Sequence, residues 1–421
     1  MKFPMIKWAK DLFPICRSLT GEGNRKTLKY FINLNPELKI LKFKSGKKVF
    51  DWNIPNEWNI KDAYLQHESG KKFAEFKKKN LHLVGYSTPV NKTLNKKELL
   101  KRIFTQPDQP DVVPYVTSYY NKTWGFCMSD KEKNKLPNGK YKVFIDSSLK
   151  KGNLDTAHCL IKGKRNQEIL FSSYICHPSM ANNELSGPVL LNAILLYLKS
   201  TYKKPNYSYR FILVPETIGA IAYISKYFSI LKKRVISGYQ LTCTGDERAY
   251  TAVHTPNLNT LSDHAITSAL IGLKNVKEFS FKHRGSDERQ YCAPGVELPV
   301  CSFSRSKDYP EYHTDKDDFK IVTQKGLEGS FNVMKNIIDA FETGIYPRNV
   351  YLCEPNMGKR NLYTSSISQK GVYAKELYTR KHLLAYANGK RSIFEISNIL
   401  KIPLKTLLDQ YKILKLKKVL K

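Results

Sequence analysis

The order of hydrophobic and polar residues along the chain predicts regions of different structure. Residues 1–35 have the spacing of an amphipathic helix or helix pair, interrupted at a Gly21–Gly23 turn. From about residue 41 to 145, short alternating runs are separated by Pro, Asn and Gly clusters, which is typical of a small antiparallel β unit. Three of the four Trp lie in this second region, so we expect it to have a core of its own.

Between about residues 155 and 345 the pattern changes to strands that alternate with helices. Continuous apolar runs (EILFSSYI, YRFILVP, GYQLTCT and LPVCSFS) alternate with helical stretches such as PVLLNAILLYLKS. Such strands, joined by crossover helices, predict a mostly parallel α/β sheet with helices on both faces, a three-layer arrangement. From Glu376 onward we expect three short helices, separated by the Asn388–Gly389 turn and by Ile402–Pro403.

Composition narrows the class of protein. A chain of 421 residues with 41% hydrophobic residues is long enough for two to four domains with real cores. No window approaches about 18 uninterrupted apolar residues, so a membrane-spanning helix is excluded and no membrane partner is expected. The first residues lack the apolar segment of a secretory signal, and we therefore expect a cytoplasmic protein.

The net charge of +33 admits two interpretations. One is a polyanionic partner, and the other is a surface covered with solvated lysines. Because the basic residues form short runs throughout the sequence and no single patch, we favour the solvated surface. The eight dispersed cysteines include no CxxC pair, so we predict reduced, structural thiols.

Polar residues gather where the predicted strands end. His177 and the NNELSG string follow the first run, Glu216 the second, Asp246 the third, and His313 lies beyond the fourth. Ligands of open α/β sheets bind at the carboxyl ends of strands. Histidines and carboxylates can hold Zn²⁺, and an unligated Glu can move a proton, so this set predicts a metallohydrolase.

The same order of residues resembles the zinc aminopeptidases with two metals. The longer strings SYICHPSMANNELSGP, VPETIGAIAY, TCTGDERAY, RGSDERQYCAPGVELPV and YPEYHTDKDD resemble, more narrowly, the aminopeptidase-like proteins of bacterial surface-polysaccharide gene clusters. That resemblance covers nearly the whole chain. It implies a zinc-aminopeptidase-type (phosphorylase/hydrolase-like) domain split between 1–40 and 145–345, an inserted small β domain at 41–144, and a C-terminal extension at 346–421 with a winged helix at about 375–421.

The resemblance also implies roles for single residues. His177 and Asp246 match ligands of the first metal, His313 matches a ligand of the second, and Glu216 matches the general base. Two positions depart from the pattern. Asn183 stands where the bridging Asp is expected, and Thr217 stands where the second-metal Glu is expected. We therefore expect one Zn²⁺ rather than two, held by His177 and Asp246 with His313 or Glu184, or no tightly bound metal.

Further residues are expected around the substrate. By the resemblance, Tyr312 and Arg284 would contact substrate or stabilise an oxyanion, a task suited to a phenol or a cation. The string from Arg284 to Tyr291 is rich in charge, and it forms either part of a binding site or a salt-bridge network. We assign substrate binding to four candidates: Asn183, Asp287, Arg289 and Tyr291.

Two functions of different class remain open. The first is a metal-dependent amide hydrolase acting on a peptide N-terminus or on an N-acyl or aminoacyl sugar in polysaccharide biosynthesis. The second is a binding or scaffold protein of glycan assembly that keeps the pocket without the chemistry. Nucleic acid is not expected as a partner, because the apolar residues of the last helices are explained by a small core. A homo-oligomer is left open, and the β insert is expected to cover the pocket.

Overall fold

The structure is a computed structural model that describes residues 2–363 and 374–421. Its strands are β1 (Lys39–Lys44), β2 (Lys48–Val49), β3 (Trp52–Asn53), β4 (Glu57–His67), β5 (Lys72–Phe73), β6 (Val90–Asn95), β7 (Ile103–Phe104), β8 (Phe126–Cys127), β9 (Lys140–Lys150), β10 (Asn153–Ile161), β11 (Glu168–Tyr174), β12 (Ser208–Val214), β13 (Val235–Leu241), β14 (Tyr250–Val253), β15 (Val276–Phe279) and β16 (Val300–Ser304). Its α-helices are α1 (Met5–Leu12), α2 (Glu22–Leu34), α3 (Lys96–Leu100), α4 (Asp130–Asn134), α5 (Ser186–Thr201), α6 (Ile218–Arg234), α7 (Leu261–Leu270), α8 (Glu288–Tyr291), α9 (Gln324–Thr343), α10 (Lys375–Tyr386), α11 (Ile393–Leu400) and α12 (Leu404–Leu416).

An eight-stranded sheet forms the centre of the molecule, with the order β1-β10-β12-β11-β13-β16-β14-β15. Its four central strands, β12, β11, β13 and β16, run parallel to their neighbours within that group. The antiparallel pairs lie on either side of them. The prediction of a mostly parallel α/β sheet is confirmed.

Helices cover both faces of this sheet because successive side chains of a buried strand point to opposite sides. Ile169 and Phe171 of β11 belong to the core shared with α1, α5 and α9, whereas Leu170 belongs to the core formed with α6 and α8. Every residue of β11 is buried, which explains its continuous apolar run. The three layers expected from the sequence are therefore present.

A four-stranded antiparallel sheet, β5-β4-β9-β6, forms the insert. Its apolar cluster, which includes Trp58 and Trp124, is not separate as expected, because it extends to Cys176, Ile218 and Ile221 of the large domain. The predicted domain boundaries at residues 40 and 144 fall inside two strands. Strand β1 spans the first boundary and belongs to the large sheet, and β9 spans the second and belongs to the small sheet. The division into domains itself stays a prediction.

The C-terminal helices pack on the large domain. Ile393, Leu404, Leu407 and Leu414 lie in the same apolar cluster as Phe341 of α9. Residues 364–373 of the predicted extension 346–421 lie outside the described residues. The helices appear where the sequence predicts them, with Gly389 at a positive φ of 77° in the turn between α10 and α11.

Three smaller expectations can be compared with the described residues. All eight cysteines are free, as predicted. Within residues 2–363 and 374–421, no helix combines the length and the hydropathy that crossing a membrane would require. The insert was expected to cover the pocket, and its Tyr115 packs against His177 with ring centroids 5.2 Å apart.

Candidate functional site

The carboxyl ends of the central strands deliver the predicted residues to one edge of the sheet. His177 follows β11, Glu216 follows β12, Asp246 follows β13, and His313 lies in the segment after β16. Strands that run parallel end at the same edge, where ligands of open α/β sheets bind. The edge predicted from the sequence is therefore the one at which side chains of different strands meet.

His177 is the centre of this group, and a carboxylate lies near each of its ring nitrogens. Its Nδ1 is 3.0 Å from Oε2 of Glu184, and its Nε2 is 3.7 Å from Oε2 of Glu216. Glu184 is completely buried in a π-helical turn, Ala181–Leu185, that precedes α5. A carboxylate on Nδ1 orients the imidazole and leaves Nε2 available to a ligand.

A buried arginine that the sequence analysis did not select holds Glu184. The side chain of Arg17 is fully buried, and its Nε lies 3.2 Å from Oε1 of Glu184. The same guanidinium donates to the backbone oxygens of His177 and Leu12, at 3.0 and 2.7 Å. Glu184 is therefore neutralised and fixed by Arg17 and His177 together.

Burial and the neighbouring carboxylates shift the pKa of His177 in opposite directions. Burial lowers the pKa of His177, whereas the hydrogen bond and charge of Glu184 raise it, and the net shift is upward. This buried group thus joins the guanidinium of Arg17 and the imidazole of His177 to the carboxylates of Glu184 and Glu216.

A second imidazole, His313, stands beside the first. The ring centroids of His177 and His313 are 5.4 Å apart, and Tyr115 from the insert packs edge-on against both. The ring of Tyr312 stacks on that of His313, with the centroids 3.9 Å apart. Burial, followed by the charge of His177, lowers the pKa of His313 to about 3, so this ring is neutral. The buried Nε2 of His313 has no hydrogen-bond partner among the described residues.

Glu216 lies where β12 gives way to α6. Burial raises its pKa above that of an ordinary glutamate, although the His177 charge opposes the shift. The next residue, Thr217, has a φ of 63°, a strained backbone conformation for a β-branched residue. Its N–H donates to Asp287 at 2.7 Å and its hydroxyl accepts from Arg289 at 3.0 Å. These two predicted substrate-binding residues thus brace the turn that presents Glu216.

Asp246 has its own partners, separate from the His177 cluster. Its carboxylate accepts hydrogen bonds from Ser306 at 2.7 Å and pairs with the Arg248 guanidinium at 3.2 Å. Asn183 donates from Nδ2 to the Tyr174 hydroxyl at 3.0 Å, and its Oδ1 is buried without a described partner. The carboxylate of Asp317, which sequence analysis also did not assign, accepts from the backbone N–H groups of Asn182 and Asn183 at 2.5 and 2.9 Å.

Two further predicted residues lie outside the group. Arg284 is exposed, and its described contacts are with Phe281. Tyr291 is buried on the face of the large sheet that α6 covers, where its hydroxyl shares a hydrogen bond with Ser172 at 2.9 Å. Arg17 and Tyr115 were missed because they are 160 and 62 residues away from His177 along the chain, and neither belongs to a strand-end string.

The structure brings only some of the candidate metal ligands together. Among the described residues here, candidate ligand atoms within 4.8 Å of one another belong to Cys176, His177 and Glu184. Glu184 is already engaged by Arg17, and burial raises the pKa of the Cys176 thiol far above its usual value, so neither is a ready ligand. The Nε2 of His313 and the Oδ1 of Asn183 are buried without a hydrogen-bond partner among the described residues, whereas Nε2 of His177 faces Glu216.

A cavity of about 200 Å³ opens beside Glu216. Tyr174 and Tyr312 contribute to its wall, together with residues of β16 and of the segment around Ser286. Tyr312 is 44% exposed at this position. The cavity is therefore continuous with the candidate site.

This fold and the clustering of the site at the strand ends define an aminopeptidase-like α/β protein. A zinc aminopeptidase from Bacillus subtilis matches the structure with a TM-score of 0.57 at 13% identity, over 80% of this chain and 94% of that one. A crystal structure from Clostridium acetobutylicum, provisionally described as a peptidase, matches with a TM-score of 0.90 at 35% identity, over 99% of this chain and 95% of that one.

The chain belongs to the family described as a domain of unknown function, DUF4910, whose model matches residues 6–344. A winged helix-turn-helix model matches residues 345–421. A Clostridium acetobutylicum protein is 38% identical over 391 residues, which are 92% of this chain and 89% of that protein. Its provisional name is polysaccharide biosynthesis protein with aminopeptidase-like domain. The family resemblance and the winged helix inferred from the sequence are confirmed.

Proposed function

We propose that this protein is an amide hydrolase of the aminopeptidase type, acting on a peptide N-terminus or on an amide-bearing sugar. The observation that carries the proposal is the position of Glu216, with its carboxylate 3.7 Å from Nε2 of His177 at the edge where His313 also stands. The name of the Clostridium relative supports polysaccharide biosynthesis as the setting. The zinc aminopeptidase fold supports hydrolysis of an amide bond.

In the proposed reaction Glu216 moves the proton. Its carboxylate takes a proton from the attacking water and returns it to the leaving nitrogen as the C–N bond breaks. A pKa raised by burial favours this exchange, because the carboxylate then holds a proton more readily than an exposed glutamate does. The Tyr312 hydroxyl, at the mouth of the cavity, would donate to the developing oxyanion.

One zinc ion would be held by His177 and His313, with the Asn183 oxygen as a weaker ligand. When bound, such an ion supplies Lewis-acid polarisation of the substrate carbonyl. Glu184 acts through His177, since it orients the ring from Nδ1 while Arg17 fixes the carboxylate from the other side. We propose Glu184 and Arg17 as positioning residues.

The first experiment compares wild type with Glu216→Gln on aminoacyl p-nitroanilides and on N-acetylated amino sugars. The substitution keeps the shape of the side chain and removes its basicity, so hydrolysis should fall by at least about 100-fold. Glu328→Gln on α9, outside the site, is the matched control and should keep full activity. Unchanged hydrolysis in a folded Glu216→Gln variant would contradict the proposal.

Metal content of the same preparations tests the ion separately. We expect one equivalent of zinc per chain in wild type and in Glu328→Gln, measured by inductively coupled plasma mass spectrometry. His177→Ala and His313→Ala should each lose it. Two equivalents of tightly bound zinc in wild type would contradict the single-ion site.

A binding protein of glycan assembly is the second candidate. It is favoured by the partners of Asp246, which pairs with Arg248 and accepts from Ser306, and by the ion pair that already engages Glu184 with Arg17. A folded wild-type protein without zinc and without hydrolysis, even after zinc is added, would select this second function.

A further inference from the structure

Half of the residues that line the cavity beside Glu216 carry a hydroxyl group. Ser302 and Ser304 share one face of β16 because they stand two residues apart, and Ser306 beyond the strand also lines the cavity. Ser286 and Thr242 add further hydroxyls. Among the described residues of the wall, Val253 is the only aliphatic side chain. The remaining apolar surface includes the rings of Tyr174, Tyr309 and Tyr312, flat faces that the C–H side of a sugar ring can cover.

Several of these hydroxyls keep unused hydrogen-bonding capacity. Ser302 is 6% exposed, and its hydroxyl has no hydrogen-bond partner among the described residues. Ser306 donates to Asp246, and Ser286 accepts from Gln240 at 3.3 Å. Because a serine hydroxyl has one donor and two acceptor sites, each of these groups can make a further bond. A ligand that carries hydroxyls can satisfy them.

The charges around the cavity do not select an anion. Lys307 is the single lysine or arginine among the described wall residues, and it pairs with Asp308 at 2.9 Å. Glu288 accepts from the backbone N–H groups of Gly285 and Ser286, at 2.7 and 3.0 Å. A phosphate or carboxylate entering the cavity would meet Glu216 and no unpaired lysine or arginine of the wall.

We propose that this cavity binds a single neutral sugar ring, which makes an N-acylated or aminoacylated sugar the substrate class. The volume of about 200 Å³, below the roughly 300–1,000 Å³ of pockets for drug-sized ligands, has room for one small ring. The inference rests on the proposed function only in taking Glu216 as the reacting group. The binding of the ring itself does not depend on turnover.

Binding of three neutral probes, the N-acetylated forms of glucosamine, galactosamine and mannosamine, is measured by titration calorimetry on the full chain. At least one should bind, and Ser302→Ala should weaken that binding by about 3- to 10-fold, the effect of losing one hydrogen bond. Ser225→Ala, a half-buried serine on α6 outside the wall, is the matched control and should leave binding unchanged.

Ser302→Val adds a second, opposite test. An apolar group on the wall should weaken sugar binding and strengthen binding of L-leucinamide. Wild-type protein that binds L-leucinamide and none of the three sugars would overturn the inference, even if Glu216→Gln abolishes hydrolysis. Sugar binding that depends on Ser302, in a protein that hydrolyses no amide, would support the sugar site and refute the hydrolase. Tighter binding of N-acetylglucosamine 6-phosphate than of the neutral sugar would overturn the choice of a neutral ring.

Discussion

Arg17 is a buried cation that contacts residues of the candidate site. Its guanidinium contacts Glu184 and the backbone oxygens of His177 and Leu12, and its side chain has no exposed surface. Removing one partner of a buried ion pair leaves the other charge desolvated and unpaired. The pair therefore links the N-terminal segment to the orientation of His177.

Replacing Arg17 by Met should lower the free energy of unfolding by about 3–5 kcal/mol, because Glu184 would stay buried without its cation. Arg17→Lys should lower the free energy of unfolding by less, because lysine keeps the positive charge although it lacks the planar N–H donors of a guanidinium. Denaturant titration gives the change, and Arg102→Met, which removes an exposed arginine bonded to Thr123, is the control.

The positioning role of Arg17 has a separate readout. If the guanidinium only stabilises the fold, the folded Arg17→Lys variant will keep the zinc content and kcat of wild type. We expect both to fall, because Glu184 would no longer hold the His177 ring in one orientation. Full zinc content and unchanged kcat in Arg17→Lys would contradict this role.

At the scale of elements, the connection from β14 to α7 contains a charge cluster that is separate from the contacts of His177. Asp263, the third residue of α7, accepts from Thr255, Thr260 and Cys301, which completes the N-terminal cap of the helix. His254 lies between Asp263 and Glu278, at 3.1 and 3.4 Å. Its hydrogen bonds to Asp263 and then to Glu278 raise the pKa of His254 to about 9.

This cluster predicts a pH dependence of stability. Since the pKa of His254 is raised on folding, its contribution is complete below the unfolded value of about 6.5 and is lost as the pH rises through about 9. We expect wild type to lose about 2 kcal/mol between pH 7 and 9.5 from this group. His254→Gln should remove that part of the slope, as measured by urea unfolding at each pH.

The comparison needs a histidine outside this cluster. His382, on α10, packs on Tyr378, and His382→Gln should leave the slope between pH 7 and 9.5 unchanged. The interpretation fails if His254→Gln and wild type lose the same free energy over that interval.

The elements of the large domain could be predicted because their sequence patterns are set by burial on two faces. The runs EILFSSYI and YRFILVP became β11 and β12, and the positions of His177 and Glu216 followed from where those strands end. The sequence could not show that Asp246 pairs with Arg248, or that Arg17 reaches Glu184. Those contacts depend on loop conformations, such as the π-helical turn and the positive φ of Thr217, that have no periodic signal.

At the scale of the molecule, the winged helix shares a core with the large domain. Phe394 of α11 packs on Phe341 of α9 with ring centroids 5.3 Å apart, and the Ile393 N–H donates to the Ile345 oxygen at 2.7 Å. Asn398 donates to the backbone oxygen of His264 on α7 at 3.1 Å. Because Phe341, Ile393 and Phe394 are buried, we expect the winged helix and the large domain to unfold together.

Phe394→Ala should lower stability by about 3–5 kcal/mol through the cavity it leaves. All four tryptophans lie between residues 8 and 124, so their fluorescence reports on the large domain and the insert alone. We expect the fluorescence midpoint in urea to shift as far as the midpoint of the helical circular dichroism. The exposed Tyr378→Ala is the control, and a fluorescence midpoint unmoved by Phe394→Ala would show that the winged helix unfolds independently.

The order of strands in the large sheet has a consequence for synthesis. Strand β16 is the last strand along the chain, yet it lies between β13 and β14. A nascent chain that has not reached residue 304 exposes an open edge on β13, and β14 and β15 have no central strand to join. The serine-lined cavity, whose wall includes β16, can therefore form only after nearly three quarters of the chain has been made. Until then that edge is open to pairing with other chains.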